Sequence, residues 1–201
     1  MNFRFPHLIR PFLGKLIWRM SPTSKVIFLT FDDGPVPEVT PYVLDILDNY
    51  KLKATFFCVG ENIRKYPELF EKVIQRGHQT GNHTFNHLKG VSVSTTEYVE
   101  NVEKASVYFE NNLFRPPYGR ITFWQKKTLH SKFKIVMWDV LTRDYDRKLS
   151  PEFILKNIKQ LSRNGSIVVF HDSLKAKENV LNVLPSAIEF WMKEGYTFGI
   201  L

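Results

Sequence analysis

Cysteine is almost absent from this chain of 201 residues, since Cys58 is the only one. A single cysteine excludes an internal disulfide and a metal cluster of the cysteine-rich kind. Cys58 stands in the apolar stretch ATFFCVG, which predicts a buried thiol. No repeat, low-complexity tract or linker divides the chain, and with 43% hydrophobic residues one domain with a real core is expected. Basic clusters interleaved with aromatic residues are also missing, so no nucleic-acid partner is expected.

Long hydrophobic runs are missing as well. The N-terminal segment LIRPFLGKLIWRM is apolar, but Pro11 and Lys15 interrupt it and leave runs too short to span a bilayer. It has neither the uninterrupted core nor the small-residue cleavage site of a clear signal peptide. The net charge is +8, and five cations precede the first acid, Asp32. Residues 1–24 are therefore expected to form a basic extension, which either contacts a membrane surface peripherally or packs on the domain as a helix.

Short apolar runs alternate along the chain with longer amphipathic segments. The predicted strands are 26–31, 54–59, 78–82, 113–115, 133–138, 166–170 and 196–201. The predicted helices lie in TPYVLDILDNY, YPELFEKVIQRG, TEYVENVEKASVYFEN and SPEFILKNIKQLSRNG, from their apolar spacing or their cap residues. This alternation predicts an α/β fold, a distorted (β/α) barrel with about seven parallel strands. Catalytic groups of such barrels collect at the C-terminal ends of the strands.

The first predicted strand ends in VIFLTFDDGP, where Asp32 and Asp33 follow an apolar, β-branched run. Consecutive residues that leave a strand point in different directions, so one acid is able to bind a cation while the other faces a substrate. The cation also offsets the repulsion between the two carboxylates. A solvated turn is the alternative, because Asp-Gly-Pro is common turn chemistry.

His83 and His87 follow the third predicted strand, four residues apart in GNHTFNH. On a helical turn this spacing places both imidazoles on one face, where they are able to bind one metal ion. Two solvent-exposed histidines are the alternative. A carboxylate at another strand end favours the metal, because two histidines and one carboxylate leave positions open for water and substrate.

Five motifs follow one another along the chain: TFDDGP, HTFNH, RPPYG, DY and VVFHD. Together they resemble the polysaccharide deacetylase family, carbohydrate esterase family 4, with its NodB-homology domain. The first three motifs match closely and in order. The resemblance runs from about Lys25 to Leu201, which implies a catalytic domain over residues 25–201.

For the metal site, the resemblance matches Asp33, His83 and His87 with the three ligands of the family. It implies one divalent ion, with zinc as the default for hydrolysis. Cobalt, nickel, iron and manganese stay open, because one carboxylate and two histidines do not discriminate among these ions.

For the chemistry, the resemblance matches Asp32 with the general base that activates water and Arg115 with the arginine that tethers this base. It matches His171 with the general acid for the leaving amine, and Asp144 with the acid that holds this histidine. The backbone N–H of Tyr118 matches a donor to the oxyanion. A base and an acid are both needed, because an amide anion is a very poor leaving group. A structural salt bridge for Arg115 and a turn cap for Asp144 are the alternatives.

The fourth motif departs from the family, which has Asp, two residues, Asp and Trp. The corresponding positions here are Leu141, Asp144 and Tyr145, so the first acid is lost and Tyr145 forms the aromatic wall of the substrate site. This change concerns the identity of the substrate more than the chemistry. Asp172 follows His171 directly and is expected to point away from it, in a structural role.

The expected function is metal-dependent removal of N-acetyl groups from amino sugars of a glycan such as peptidoglycan or chitin-like oligosaccharides. An esterase for O-acetyl groups of an acetylxylan-like glycan stays open, as do a non-catalytic glycan-binding module and an iron oxygenase. The loops 88–96 and 119–124 are expected to form walls of the groove for the acetylated glycan. The family's glycans are typically outside the cytoplasm, which favours an extracytoplasmic or membrane-associated location. The oligomeric state does not follow from the sequence.

Overall fold

The computed structural model describes residues 15–201. The strands in this range are β1 (Val26–Asp32), β2 (Thr55–Cys58), β3 (Gln79–Asn82), β4 (Leu113–Phe114), β5 (Lys134–Ile135), β6 (Val140–Leu141), β7 (Ile167–His171) and β8 (Thr197–Gly199). Seven of them form a curled sheet in the order β5-β4-β3-β2-β1-β7-β6, and each neighbouring pair is parallel. β8 pairs in parallel with the N-terminal half of β1. The predicted α/β class, a distorted barrel with about seven parallel strands, is confirmed.

Helices connect most of these strands. They are α1 (Thr40–Asn49), α2 (Gly60–Lys65), α3 (Pro67–Gln75), α4 (Thr95–Ser106), α5 (Phe123–Leu129), α6 (Pro151–Leu161) and α7 (Lys177–Lys193). The four helices predicted from the sequence are α1, α3, α4 and α6, and all four are confirmed. The sequence did not predict β6, α2 and α5, because each is too short to show a period. It also missed α7, whose interior Pro185 argues against a helix.

The side chains of strand β1 divide between the hydrophobic core and the opposite face of the strand. Ile27, Leu29 and Phe31 are fully buried and pack into the main hydrophobic core with side chains of α1 and α7. Thr30 and Asp32 lie on the opposite face of the strand, because side chains alternate along it. The apolar side chains on one face of β1 therefore anchor the strand in the core. The opposite face directs the carboxylate of Asp32 into the barrel.

The segment that precedes β1 contacts β5, at one end of the curled sheet, and the chain just before β7. The backbone N–H of Ile17 donates to the carbonyl of Ile135 on β5 at 2.9 Å. The N–H of Met20 donates to the carbonyl of Gly165, just before β7, also at 2.9 Å. This segment therefore links β5, at one end of the sheet, to the strand that carries His171.

Part of the expected basic extension 1–24 lies outside the described residues, namely 1–14, and the boundary at residue 25 stays a prediction. The predicted burial of the thiol is confirmed, since Cys58 is 1% exposed. Across residues 15–201, no helix combines the length and the apolar character that crossing a bilayer requires.

Candidate active site

The C-terminal ends of several strands surround a pocket of about 500 Å³. The predicted residues that line it are Asp32, Asp33, His83, His87, Tyr118, Tyr145 and His171. The other two, Arg115 and Asp144, are completely buried behind the wall, where they bond to Asp32 and His171. The side chains predicted from separate strand ends therefore meet at one pocket.

Asp33, His83 and His87 form a compact set of metal-ligating groups. One ligand atom from each residue lies within 4.8 Å of the other two. Oδ1 of Asp33 is 3.1 Å from Nε2 of His87 and 3.7 Å from Nε2 of His83. Burial acts to raise the pKa of Asp33, but the bond to His87 and the charges of the nearby histidines hold it well below its usual value. The carboxylate is therefore ionised at neutral pH, as a metal ligand must be.

The tautomer of His83 is fixed by its second nitrogen. Nδ1 lies 2.7 Å from the carbonyl oxygen of Arg115, so its N–H donates there and the lone pair of Nε2 faces Asp33. Burial lowers the pKa of His83 to about 4, which keeps the ring neutral at pH 7. One carboxylate and two imidazoles suit a divalent ion such as zinc, so the residues fit the metal that the family resemblance implies.

The prediction that His83 and His87 share a helical turn is wrong. The residues between them form an irregular loop in which Thr84 and His87 have φ values of +65° and +58°. Asn82 and Thr84 hold the loop: the side-chain oxygen of Asn82 accepts from the N–H of Thr84, and the Thr84 hydroxyl accepts from the N–H of Leu88. The two imidazoles are therefore brought together by a strained loop and not by helical spacing.

Asp32 is held by the buried guanidinium of Arg115. Nη1 of Arg115 donates to Oδ1 of Asp32 at 2.7 Å and to the hydroxyl of Thr30 at 2.8 Å. Nη2 donates to the carbonyl of Met137 at 3.0 Å, and the guanidinium lies 4.1 Å from the ring centre of Phe57. These contacts fix the carboxylate of Asp32 in the pocket wall. The next residue, Asp33, has a φ of +82°, so the chain turns sharply directly after Asp32.

His171 is held by both oxygens of Asp144. Its Nδ1 lies 2.7 Å from Oδ1, and its backbone N–H donates to Oδ2 at 2.8 Å. Burial acts to lower the pKa of His171, but the charge and hydrogen bond of Asp144 outweigh it and raise the pKa to about 9. The ring of Tyr145 meets the imidazole edge-on at 4.9 Å. The geometry therefore presents a protonated Nε2 to the pocket.

Tyr118 and Tyr145 line the pocket, and each packs against one of its histidines. Tyr118 has a φ of +59°, and its half-exposed ring packs edge-on against His87 at 4.7 Å. Tyr145 is partly buried, and burial raises the pKa of its hydroxyl. The two rings line the pocket, one beside His87 and the other beside His171.

Asp172 has the structural role expected for it. Its Oδ1 accepts from the N–H of Gly34 at 3.0 Å, and its Oδ2 accepts from the hydroxyl of Thr40 at 2.6 Å. Burial raises the pKa of Asp172 to about 7. Its carboxyl group therefore fastens the turn that follows the paired acids.

Gly34→Ala is expected to destabilise this turn, because an added Cβ would lie 2.0 Å from Oδ2 of Asp172. We expect a loss of about 1 to 3 kcal/mol in the free energy of unfolding, measured by urea titration. In the Asp172→Ala background the obstructing carboxyl group is absent, so Gly34→Ala should lower the free energy of unfolding much less. An equal cost in both backgrounds would refute the steric explanation.

The sequence missed several residues of the pocket wall. Asn62, Trp138 and Leu174 line it, and Nδ2 of Asn62 also donates to the carbonyl of Asp33 at 2.8 Å. Asn62 and Leu174 follow the ends of predicted strands, and Trp138 is the last residue of one. A search for amide and apolar side chains at strand ends, and not only for titratable ones, would therefore have found them. The expected loops 88–96 and 119–124 contribute no residue to the described pocket lining, whereas the segment 173–175 does.

Comparison with known proteins decides the family. The family model described as "Polysaccharide deacetylase" matches residues 19–132. The chain belongs to the polysaccharide deacetylase family. As a polysaccharide deacetylase it is a hydrolase, and the enzyme class expected from the sequence is confirmed by relatives named as deacetylases over most of its length.

Two relatives and one solved structure show how far the similarity of this polysaccharide deacetylase extends. A peptidoglycan-N-acetylglucosamine deacetylase of Bacillus cereus is 33% identical over 193 residues, which cover 92% of this chain and 90% of the relative. A chitooligosaccharide deacetylase of Azorhizobium caulinodans is 33% identical and covers 80% of each chain. A crystal structure of a peptidoglycan N-acetylglucosamine deacetylase superposes with a TM-score of 0.88 at 31% identity, over 93% of this chain and 91% of that chain.

Proposed function

We propose that this polysaccharide deacetylase removes N-acetyl groups from the amino sugars of a glycan, with peptidoglycan as the first candidate substrate and chitin-like oligosaccharides as the second. The observation that carries the proposal is the grouping of Asp33, His83 and His87 in one pocket with Asp32 and His171. The relatives named for peptidoglycan and chitooligosaccharides support the choice of substrates.

Asp33, His83 and His87 would hold one divalent ion, for which zinc suits the donor set. When bound, such an ion supplies Lewis acidity that polarises an acyl oxygen and makes a neighbouring water a stronger acid. The rest of the reaction depends on proton transfers by the chain itself.

Asp32 is assigned the role of general base. Its carboxylate lines the pocket next to Asp33, and Arg115 donates a hydrogen bond to one of its oxygens at 2.7 Å. The guanidinium fixes the direction of the carboxylate, so that it accepts a proton from the attacking water without first reorienting.

His171 is assigned the role of general acid, with Asp144 as the residue that positions it. The bond between Nδ1 and Asp144 leaves Nε2 as the donor that faces the pocket. A proton from Nε2 reaches the leaving nitrogen as the carbon–nitrogen bond breaks, so an amine departs and not an amide anion. The backbone N–H of Tyr118 is assigned to the developing oxyanion, and Tyr145 to a wall against the substrate.

Asp144→Asn is expected to shift the pH profile of turnover. His171 acts in its protonated form, so activity is present below its pKa of about 9 and falls as the pH rises through that value. Asp144 raises this pKa, and the uncharged amide removes most of that effect, so the alkaline limb of kcat should move to lower pH. Tyr145→Phe, which keeps the carboxylate, serves as the control. An unchanged alkaline limb in Asp144→Asn would contradict the role of His171 as the acid.

Release of acetate tests the proposed reaction. The protein is assayed on peptidoglycan, chitin oligosaccharides and acetylxylan, before and after removal of metal by a chelator and after return of zinc. We expect metal-dependent release from the first two. Release from acetylxylan alone would replace the proposal by an O-acetyl esterase, and glycan binding without release on any substrate would replace it by a non-catalytic module.

We also propose a location outside the cytoplasm or at the membrane, with peripheral membrane contact through the basic N-terminal segment. Five cations that precede Asp32 would be attracted to anionic lipids. The polymers named for the relatives support an extracytoplasmic substrate. Cell fractionation that recovers the protein from the soluble cytoplasm alone would contradict this proposal.

A further inference from the structure

Two large aromatic side chains stand exposed at the start of α5. Phe123 is 63% exposed and Trp124 is 62% exposed. Their rings meet at nearly a right angle, with centroids 5.2 Å apart. Together the two rings form a contiguous apolar patch, the kind of surface feature that marks binding sites on folded domains.

The backbone beneath this pair is held firmly. The Thr122 hydroxyl accepts from the N–H of Gln125, and the side-chain oxygen of Gln125 accepts from the N–H of Thr122 at 2.9 Å. Gln125 is fully buried, and its side-chain NH₂ donates to the carbonyl of Gly90 at 2.8 Å. The exposure of the two rings is therefore a property of a capped and anchored turn and not of a frayed helix end.

Two segments of the chain connect the pair to residues that line the pocket. One segment runs from Tyr118, which lines the pocket, to Phe123, and five residues span at most about 17 Å. The other runs from His87 to Gly90, where the bond from Gln125 joins it to α5. Both segments begin at residues that line the pocket, and the length of the first keeps the backbone of Phe123 within about 17 Å of Tyr118.

The chemistry of this surface suits a glycan chain. The C–H faces of sugar rings pack on aromatic rings, which offer a large apolar area at a small cost in conformational entropy. The ammonium groups of Lys126 and Lys127 lie 5.5 Å and 5.3 Å from the ring centres of Phe123 and Trp124, and Arg120 is exposed nearby. These cations are able to donate to sugar hydroxyls and to pair with acidic groups of a polymer.

We propose that Phe123 and Trp124 form a platform that binds the glycan chain several sugars away from the one being deacetylated. This inference rests on the proposed function, because it takes the occupant to be the same polymer whose acetyl group enters the pocket. The platform gives a long glycan an affinity that a short oligosaccharide, confined to the pocket, does not obtain.

Binding to insoluble glycan tests the platform without relying on turnover. The full chain with Asp32→Asn is mixed with purified peptidoglycan sacculi or with chitin beads, and the bound fraction is measured. Adding Phe123→Ala and Trp124→Ala together should weaken binding about tenfold or more, because these rings would be central aromatic anchors. Phe153→Ala, which truncates an exposed aromatic on α6, is the matched control and should bind as before.

Steady-state kinetics supplies the second readout. In the active protein, Trp124→Ala should raise KM about tenfold for long glycan, change kcat little and leave KM for a chitin disaccharide within about twofold. Trp124→Phe, which keeps an aromatic ring, should retain most of the native affinity for long glycan. If the aromatic variants lose sacculus binding while no variant releases acetate, the platform stands and the proposed reaction fails.

Three results would overturn the platform. One is equal binding of sacculi and chitin by the aromatic variants and by Phe153→Ala. Another is a loss confined to vesicles of anionic phosphatidylglycerol, which would assign the rings to a lipid surface. The third is a change of oligomeric state in the aromatic variants with glycan binding intact, which would assign them to contacts between copies of the chain.

Discussion

Arg115→Met is expected to lower the free energy of unfolding by about 3 to 5 kcal/mol, because it leaves a buried carboxylate without its partner. Arg115 has no exposed surface, and Asp32 is 4% exposed. Methionine fills a similar volume but offers no donor to Asp32, Thr30 or the carbonyl of Met137, all of which Arg115 now bonds. Chemical denaturation of the native and variant proteins measures the difference.

The double variant Asp32→Asn/Arg115→Met separates the lost charge pair from lost packing. Without a charge at position 32, removal of the guanidinium no longer strands a carboxylate, so the double variant should be more stable than Arg115→Met alone. A loss below about 1 kcal/mol in the single variant, the range of exposed ion pairs, would mean that the bond at 2.7 Å contributes little.

Asp32→Asn is expected to reduce kcat by a factor of about 10² to 10⁴, the usual contribution of a positioned proton acceptor. The amide has nearly the same shape and is still able to accept a bond from Arg115, but it does not accept a proton from water. Zinc content should be unchanged, because Asp33 and not Asp32 belongs to the set of ligands. Acetate release at saturating substrate and metal analysis of the same sample give the two readouts.

Asp146→Asn is the matched control for this substitution. It removes the same charge from a carboxylate that bonds Arg143 close to Asp144 but does not line the pocket. We expect turnover near that of the native protein. If Asp32→Asn also stays within about tenfold of the native rate while it retains its zinc, Asp32 is not the base.

Much of the fold follows from local patterns in the sequence. The run at 26–31 is apolar and β-branched, and α3 has a proline at its start and Gly77, with a φ of +76°, beyond its end. These signals are contained within a few residues. The strand β6 has two residues, and α7 has an internal proline, so in both elements tertiary contacts outweigh what the local sequence indicates.

The site was predictable in its membership but not in its geometry. The strand-end rule and the family resemblance gathered Asp33, His83 and His87 correctly in one pocket. The turn that joins the two histidines was not predictable, because non-glycine residues rarely adopt the positive φ found at Thr84 and His87. The carbonyl of Arg115 that fixes the tautomer of His83 comes from 32 residues further along the chain. Only the fold brings such partners together.

Metal binding by His83→Ala, compared with the native protein, is the most direct test of the central claim. Equilibrium dialysis against zinc followed by metal analysis should find one ion per native chain and none bound tightly by His83→Ala. His78→Ala is the control, because His78 is also buried but accepts from the N–H of Ala54, away from the pocket. Equal zinc content in His83→Ala and the native protein would contradict a site built from Asp33, His83 and His87.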